Sequence, residues 1–373
     1  MTRVRVSALI ALFAFLLTGC WDLEEVDRRT VILAVAFDTA PGNGVRTLLT
    51  VPDPRALVPA GGTVIGPAVQ EPAYITLQQE GRTASEGLAR LRHVMSREPF
   101  FGQVIVVAVS QRLARQGLAP ILEFLMNNNE VPRSAWLVVT VGPPDAAAIK
   151  PPQETFPEFY VDNAFRTRRN PTASGGIPYW RLWVSSLRPG EDAVVPVVEV
   201  GPLGQLRLAR VAAFRDDRLA GILSERETRL YGLTRGATSL TWQVALGAQH
   251  FATIRPFRAK YDIQVLPDAG PGRPAFRFQL RLEAVLAEAH VDGSLESSEV
   301  ARVEERFARD LKRALGHLIT RLQRWKSDPY GFGERYRIAY PERFTAEPWP
   351  DQWSRARVET SVRVMIRRGS AVQ

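Results

Sequence analysis

Apolar residues follow one pattern in the first half of this chain and another in the second. In the first half they come in short unbroken blocks bounded by polar residues: 31–37 (VILAVAF), 104–109 (VIVVAV) and 136–141 (WLVVTV). Blocks of this length, rich in β-branched residues, predict strands buried on both faces. Residues 48–51 predict a further strand paired with the first block. Between the blocks lie helical signals. Thr83-Ala84-Ser85-Glu86 has the Thr-x-x-Glu spacing of a capping box, and the helix it opens places Leu88, Leu91 and Met95 on one face. Residues 113–125 predict one helix, or two short ones around Gly117. Strand, helix, strand, helix, strand points to an α/β layer.

In the second half the pattern alternates. Phe276, Phe278, Leu280, Leu282, Ala284 and Leu286 are interleaved with Arg277, Gln279, Arg281 and Glu283, which predicts a strand with one dry and one wet face. Residues 358–366 predict a second such strand, and 206–214 with 218–223 a hairpin around Asp216-Asp217. From 298 to 325 apolar residues recur every three or four positions (Val300, Val303, Phe307, Leu311, Leu315, Leu318, Leu322), the single stripe of an amphipathic helix. At 1.5 Å per residue such a helix reaches roughly 42 Å, enough to cross a whole sheet. This half therefore predicts an antiparallel sheet packed with long helices.

Residues 52–72 and 150–178, rich in Pro and Gly, predict irregular connections, with a short helix near 180–187. Pro189-Gly190, Pro196 and Pro202 give 189–202 the character of a linker, which places the main boundary near residue 200. The expected organisation is mixed α/β (α+β) and multi-domain: a leader over 1–19, an N-terminal region over 20–200 with room for two units, and a C-terminal domain over 201–373.

The leader changes the picture most. Arg3 and Arg5 precede an apolar run over 8–17, then Leu17-Thr18-Gly19-Cys20. The run is shorter than the ~20 residues that span a bilayer, and it fits a secretory signal. Small residues followed by cysteine form a bacterial lipobox, so cleavage is expected between Gly19 and Cys20, with diacylglyceryl on the Cys20 thiol. Trp21 and Asp22 would then sit beside the membrane, where an indole is well placed. Cys20 is the only cysteine. That excludes an internal disulfide, and in a lipidated chain it also excludes thiol redox chemistry and cysteine-based zinc sites. The formal charge is +9, and all but four of the 48 basic residues are arginine. Two readings stand: a GC-rich genome, or attraction to anionic lipid heads. An exported chain without a long basic run does not predict nucleic-acid binding.

Catalytic patterns are absent from the sequence. His93, His250, His290 and His317 form no His-Glu-x-x-His motif, and neither Gly-x-Ser-x-Gly nor a P-loop occurs. No metal or cofactor is expected beyond the lipid on Cys20. The segment Asp328-Pro329-Tyr330-Gly331-Phe332-Gly333 must turn sharply after the long helix. Its Tyr330 and Phe332 are either part of a structural connection or candidate partner contacts.

Several of these segments resemble a known family. Cys20-Trp21-Asp22-x-x-Glu25, the block over 31–37 with Asp38, Thr83 to Glu86, the block over 104–109 and Leu113 to Leu118 stand in the order found in the C-subunit lipoproteins of spore germinant receptors, the Ger(x)C family. Residues 211–223, Asp328 to Gly333, Trp349, Trp353 and the strand ending at Gly369 resemble its C-terminal region. The chain departs from the family pattern at Phe101-Gly102-Gln103, where a histidine is usual, and at Asn127 to Glu130, where Arg-Asp is usual. The resemblance implies a non-catalytic subunit of a three-part receptor with two integral membrane partners (A- and B-type). It would stand on the outer face of the spore inner membrane and serve the response to small nutrient germinants. The competing expectation is a solute-binding lipoprotein of a transporter, with two parallel-sheet lobes.

Overall fold

A computed structural model describes residues 28–53, 73–142, 154–167, 176–202, 204–237, 240–246, 250–270, 272–290, 297–345 and 347–367. The elements run β1 (Arg29–Val31), β2 (Ala34–Ala40), β3 (Gly44–Pro52), β4 (Tyr74–Gly81), α1 (Ala84–Val94), β5 (Glu98–Phe100), β6 (Val106–Ser110), α2 (Gln111–Gln116), α3 (Ala119–Asn127), β7 (Trp136–Thr140), α4 (Pro157–Arg166), β8 (Ile177–Pro178), α5 (Tyr179–Leu187), β9 (Val194–Val200), β10 (Leu206–Arg215), β11 (Arg218–Ile222), α6 (Glu225–Thr234), β12 (Trp242–Ala245), β13 (Phe251–Leu266), β14 (Ala275–His290), α7 (Ser297–Arg324), α8 (Phe332–Ala339), α9 (Pro341–Thr345), α10 (Trp349–Arg355) and β15 (Arg357–Arg367). The fold is mixed α and β with more than one sheet.

The first sheet has the order β11-β10-β9-β7-β6-β2-β3-β4, with β8 on the end of β7. Its centre, β9-β7-β6-β2, is parallel, and both flanks are antiparallel. Helices cover both faces. Val35, Phe37, Val107, Val109, Leu137 and Val139 pack under Leu91, Leu113, Leu122 and Leu182 of α1, α2, α3 and α5. Ala34, Ala36, Val106, Ala108 and Val138 pack under Val161 and Phe165 of α4. This two-sided burial is why the sequence shows unbroken apolar blocks here. Gly117, with φ +117°, separates α2 from α3 as the second of the two helical readings expected. At the start of α1 the Thr83 hydroxyl accepts from Glu86 N–H at 3.2 Å. The Glu86 carboxylate takes the Arg82 N–H at 2.7 Å rather than that of Thr83, so the box is half closed.

The second sheet, β12-β13-β14-β15, is antiparallel except for its last pair, which runs parallel. Parallel neighbours need a long crossover, and the helical stretch from α7 to α10 supplies it. α7 lays its predicted stripe on one face of this sheet: Val303, Phe307, Leu311, Leu315, Leu318 and Leu322 are buried against Phe276, Phe278, Leu280 and Leu282. The first three strands give no support to a two-lobed, parallel-sheet solute-binding architecture.

The stretch expected to be a linker is partly strand. β9 lies inside the first sheet, and Pro196 is accommodated because parallel pairing with β7 begins only at Val197. Sheet structure also continues past residue 200. The hairpin of β10 and β11 pairs with β9, so it closes the first sheet and does not open the second. Its alternation serves both cores: Ala212 and Phe214 face the helices of the first sheet, while Val211 and Ala213 join the core of the second.

Candidate functional site

The junction between the sheets gathers a cluster of buried polar side chains, among them Thr234, Ser327 and Asp328. It begins where α7 stops. Lys326 takes φ +54°. Ser327 N–H donates to Leu322 O and Lys326 N–H to Gln323 O, each at 3.0 Å. These are the two bonds of a Schellman closure, with lysine in the position glycine usually holds. The chain then turns inward at Asp328, which is 1% exposed. Its Oδ1 accepts from the N–H groups of Gly331 (3.0 Å) and Phe332 (3.1 Å). Its Oδ2 accepts from Gly333 N–H (2.8 Å) and Trp349 Nε1 (3.1 Å). One carboxylate thus organises the start of α8 and anchors α10.

The same residue ties the sheets together. Asp328 N–H donates to Asp192 Oδ2 at 2.7 Å, Asp192 N–H returns a bond to Asp328 O at 3.0 Å, and Asp216 N–H donates to Asp192 Oδ1 at 3.0 Å. Asp192 precedes β9, and Asp216 sits at the turn of the β10–β11 hairpin. Burial pushes both the Asp328 and Asp192 carboxyls up, and the N–H donors aimed at their oxygens pull the other way by favouring the charged form. Beside them Glu334 N–H donates to Gly190 O at 3.0 Å. A Cβ on Gly333 would stand 2.5 Å from Gly190 Cα and from Trp349, so this close backbone approach requires glycine.

Tyr330 and Phe332, expected as candidate partner contacts, are 4% and 0% exposed. Phe332 stacks on Trp353 at 4.7 Å and meets Phe276 edge-on at 5.1 Å. Tyr330 meets Phe278 at 5.2 Å, and its hydroxyl lies 3.2 Å from Thr234 Oγ1. Both are core, so the aromatic surface expected at this turn is turned inward. The Arg235 guanidinium lies over the rings of Tyr231, Tyr261 and Tyr330 at 5.5, 5.7 and 5.9 Å and donates to Pro329 O.

A cleft of about 450 Å³ opens next to this junction, walled by Trp180, Arg181 and Arg188 on one side and Asp192, Tyr231 and Arg235 on the other. A larger groove of about 1120 Å³ lies beyond the carboxyl ends of β2 and β6. Asn127 to Glu130, where the chain departs from the family pattern, form part of its wall, and so does Asp217, whose Oδ2 accepts from Ala119 N–H at 2.8 Å. In the cleft the Ser185 hydroxyl donates to the backbone oxygen of Glu191 at 2.9 Å. Among the described residues no group of three His, Cys, Asp or Glu side chains is placed to hold a metal. His93, His290 and His317 are exposed on three different elements. The junction is built to hold two sheets in register.

Gly19, Cys20, Trp21 and Asp22 lie outside the described residues. Among the described residues no helix is long and apolar enough to cross a membrane. The sequence reading missed Asp192 and the role of Asp328. The Asp-Pro-x-Gly-x-Gly spacing was a usable signal for Asp328, because a carboxylate just before a glycine turn often caps the N–H groups that follow.

Known proteins place the chain. The family described as "Spore germination protein N-terminal domain" matches residues 22–200, and the one described as "Spore germination B3/GerAC like, C-terminal" matches residues 209–370. Spore germination protein KC of Bacillus subtilis (strain 168) is 21% identical over 390 residues, covering 94% of this chain and 90% of the relative. Spore germination protein YndF of the same organism is 21% identical over 389 residues, covering 96% and 95%. The crystal structure of the GerBC protein superposes with a TM-score of 0.57 at 18% identity, covering 89% of this chain and 96% of that one. With both family regions matched in order along nearly its whole length, the chain belongs to the Ger(x)C family of spore germination proteins.

Proposed function

We propose that this protein is the lipid-anchored, non-catalytic subunit of a spore germinant receptor, needed for nutrient-triggered germination. Two integral membrane subunits of A- and B-type are its partners. The observation that carries the reading is the ordered match of the two family regions over 22–200 and 209–370. The closed hydrogen bonding of Asp192 and Asp328 supports a holding role, since both carboxylates are occupied by backbone and indole donors. Cys20 carries the anchor. One acyl chain binds a membrane weakly, so two or three chains on Cys20 make the attachment stable. The body then stands on the outer face of the spore inner membrane.

The test is co-purification from spore membranes together with detergent partitioning of Cys20→Ala. The native chain is expected in the detergent phase, bringing down two multi-spanning proteins, and the variant in the aqueous phase or arrested before cleavage. Unchanged membrane retention of Cys20→Ala would refute the anchor. Recovery of the native chain without membrane partners would refute the receptor role.

A further inference from the structure

The second sheet is covered by α7 on one face, and among the described residues no helix covers the other. Glu283 on that face is shared by Arg258 (3.2 Å) and Arg367 (2.8 Å), and Glu359 pairs with Arg277 (3.3 Å). The remaining cations are not balanced. Lys260 of β13 stands directly opposite Arg281 of β14, and Arg281 directly opposite Arg363 of β15. All three are exposed, and none makes an ion pair with another described residue. Arg255 is a fourth exposed cation without one, against two exposed carboxylates that make no ion pair with a described residue, Asp262 and Glu288.

Like charges directly opposite on neighbouring strands destabilise a sheet. Three in one row, across three strands, therefore work against folding, and among the described residues no carboxylate forms an ion pair with any of them. Two exposed apolar side chains share the face: Phe257, turned out by the bulge between Pro256 and Arg258 and lying under Arg367 at 5.5 Å, and Met365, opposite Glu283.

We propose that this uncovered face is a docking surface for an anionic lipid bilayer, with Lys260, Arg281 and Arg363 contacting phosphate head groups. Arginine matches phosphate geometry and keeps its charge at such a surface. An open, basic sheet face carrying isolated apolar side chains suits an extended anionic surface better than an enclosed ligand. The inference goes beyond the family reading and does not need a lipidated Cys20.

The experiment uses the full chain carrying Cys20→Ser, so that no thioether lipid contributes, and residues 1–19, common to every chain compared, cancel. Cosedimentation is measured with vesicles of phosphatidylglycerol and phosphatidylcholine, with vesicles of phosphatidylcholine alone, and with soluble poly-glutamate. The triple variant Lys260→Gln, Arg281→Gln, Arg363→Gln is the comparison. The parent is expected to bind anionic vesicles at least about tenfold more tightly than neutral ones, to lose that preference as salt rises, and to lose it in the triple variant. Millimolar glycerol phosphate should not compete, because the surface reads a charged plane and not a single head group. The melting temperature of the triple variant should be equal or higher, since removing a repulsive row relieves the sheet. Equal binding to both vesicle types, an unaffected triple variant, or binding to poly-glutamate without binding to vesicles would overturn the proposal, the last outcome assigning the face to an acidic protein. A fall in melting temperature would also overturn it by giving the row a structural role.

Discussion

The two sheets solve burial differently, and the difference accounts for much of what the rest of the molecule does. The first is covered on both faces, so its central strands carry apolar residues at consecutive positions and almost no charge. The second is covered on one face by α7, so it alternates, and it displays its charged residues on the side left open. A doubly covered sheet has no large free surface of its own and meets other molecules at its strand ends, where the groove of about 1120 Å³ lies. A singly covered sheet can meet a partner across a whole face. The division of labour follows from how many layers of helix each sheet receives.

The sharpest way to break the comparison is to cut the chain where the two sequence patterns meet. A chain ending at residue 200 loses β10 and β11, leaving β9 as a bare edge and removing Ala212 and Phe214 from the first core. It is expected to show no cooperative unfolding transition by circular dichroism, and a normal transition would mean that the first sheet stands without the hairpin. Trp353→Ala comes next. Trp353 is fully buried, stacks on Phe332 and donates Nε1–H to Ser327 O at 2.9 Å. Its removal should cost about 3–5 kcal/mol in denaturant unfolding. Because the junction joins both sheets, the loss should appear as one earlier transition, and two separated transitions would mean that the sheets are energetically independent.

Glu158 of α4 tests the doubly covered sheet alone. It is 4% exposed and its Oε2 has no hydrogen-bond partner among the described residues. Burial pushes its carboxyl up from 4.5 to about 7, against a hydrogen bond from Thr50. The folded state therefore holds a proton that the unfolded chain releases between those values, and stability falls as pH rises through that window. Glu158→Gln should flatten the decline and raise stability at pH 8 by about 1–2 kcal/mol, and an unchanged pH profile would contradict the burial argument. The smallest effect is expected at the start of α1, where Thr83→Ala removes the bond to Glu86 N–H and should cost about 1 kcal/mol. A much smaller loss would show that the Glu86 carboxylate on Arg82 N–H suffices as a cap.

The central strands and α7 were legible because burial imposed a period on them. The elements that escaped were those whose sequence mixes two demands. β13 runs for 16 residues, but Pro256 and a bulge shift its alternation by one position halfway along. β4 is an edge strand, polar on much of both faces. β9 was hidden by Pro196, which is tolerated only because of where its neighbour begins to pair. α6 carried a readable signal, the Ser224-Glu227 capping box, which closes in full with bonds of 3.4 and 2.9 Å. At the junction, Tyr330 and Phe332 could be recognised as special from their glycine-rich setting, but not as buried. Their burial depends on residues more than 50 positions away, such as Phe276 and Phe278, and on Asp192, which no local pattern links to Asp328.

The Asp192–Asp328 clasp has a mechanical corollary. It fastens main chain to main chain through one bond and main chain to the Asp192 carboxylate through the other, and the close approach of Gly333 to Gly190 beside it leaves little room for movement. A push on the hairpin edge would thus reach the foot of the long helix with little lost to bending. Such a body has the build of a bracket.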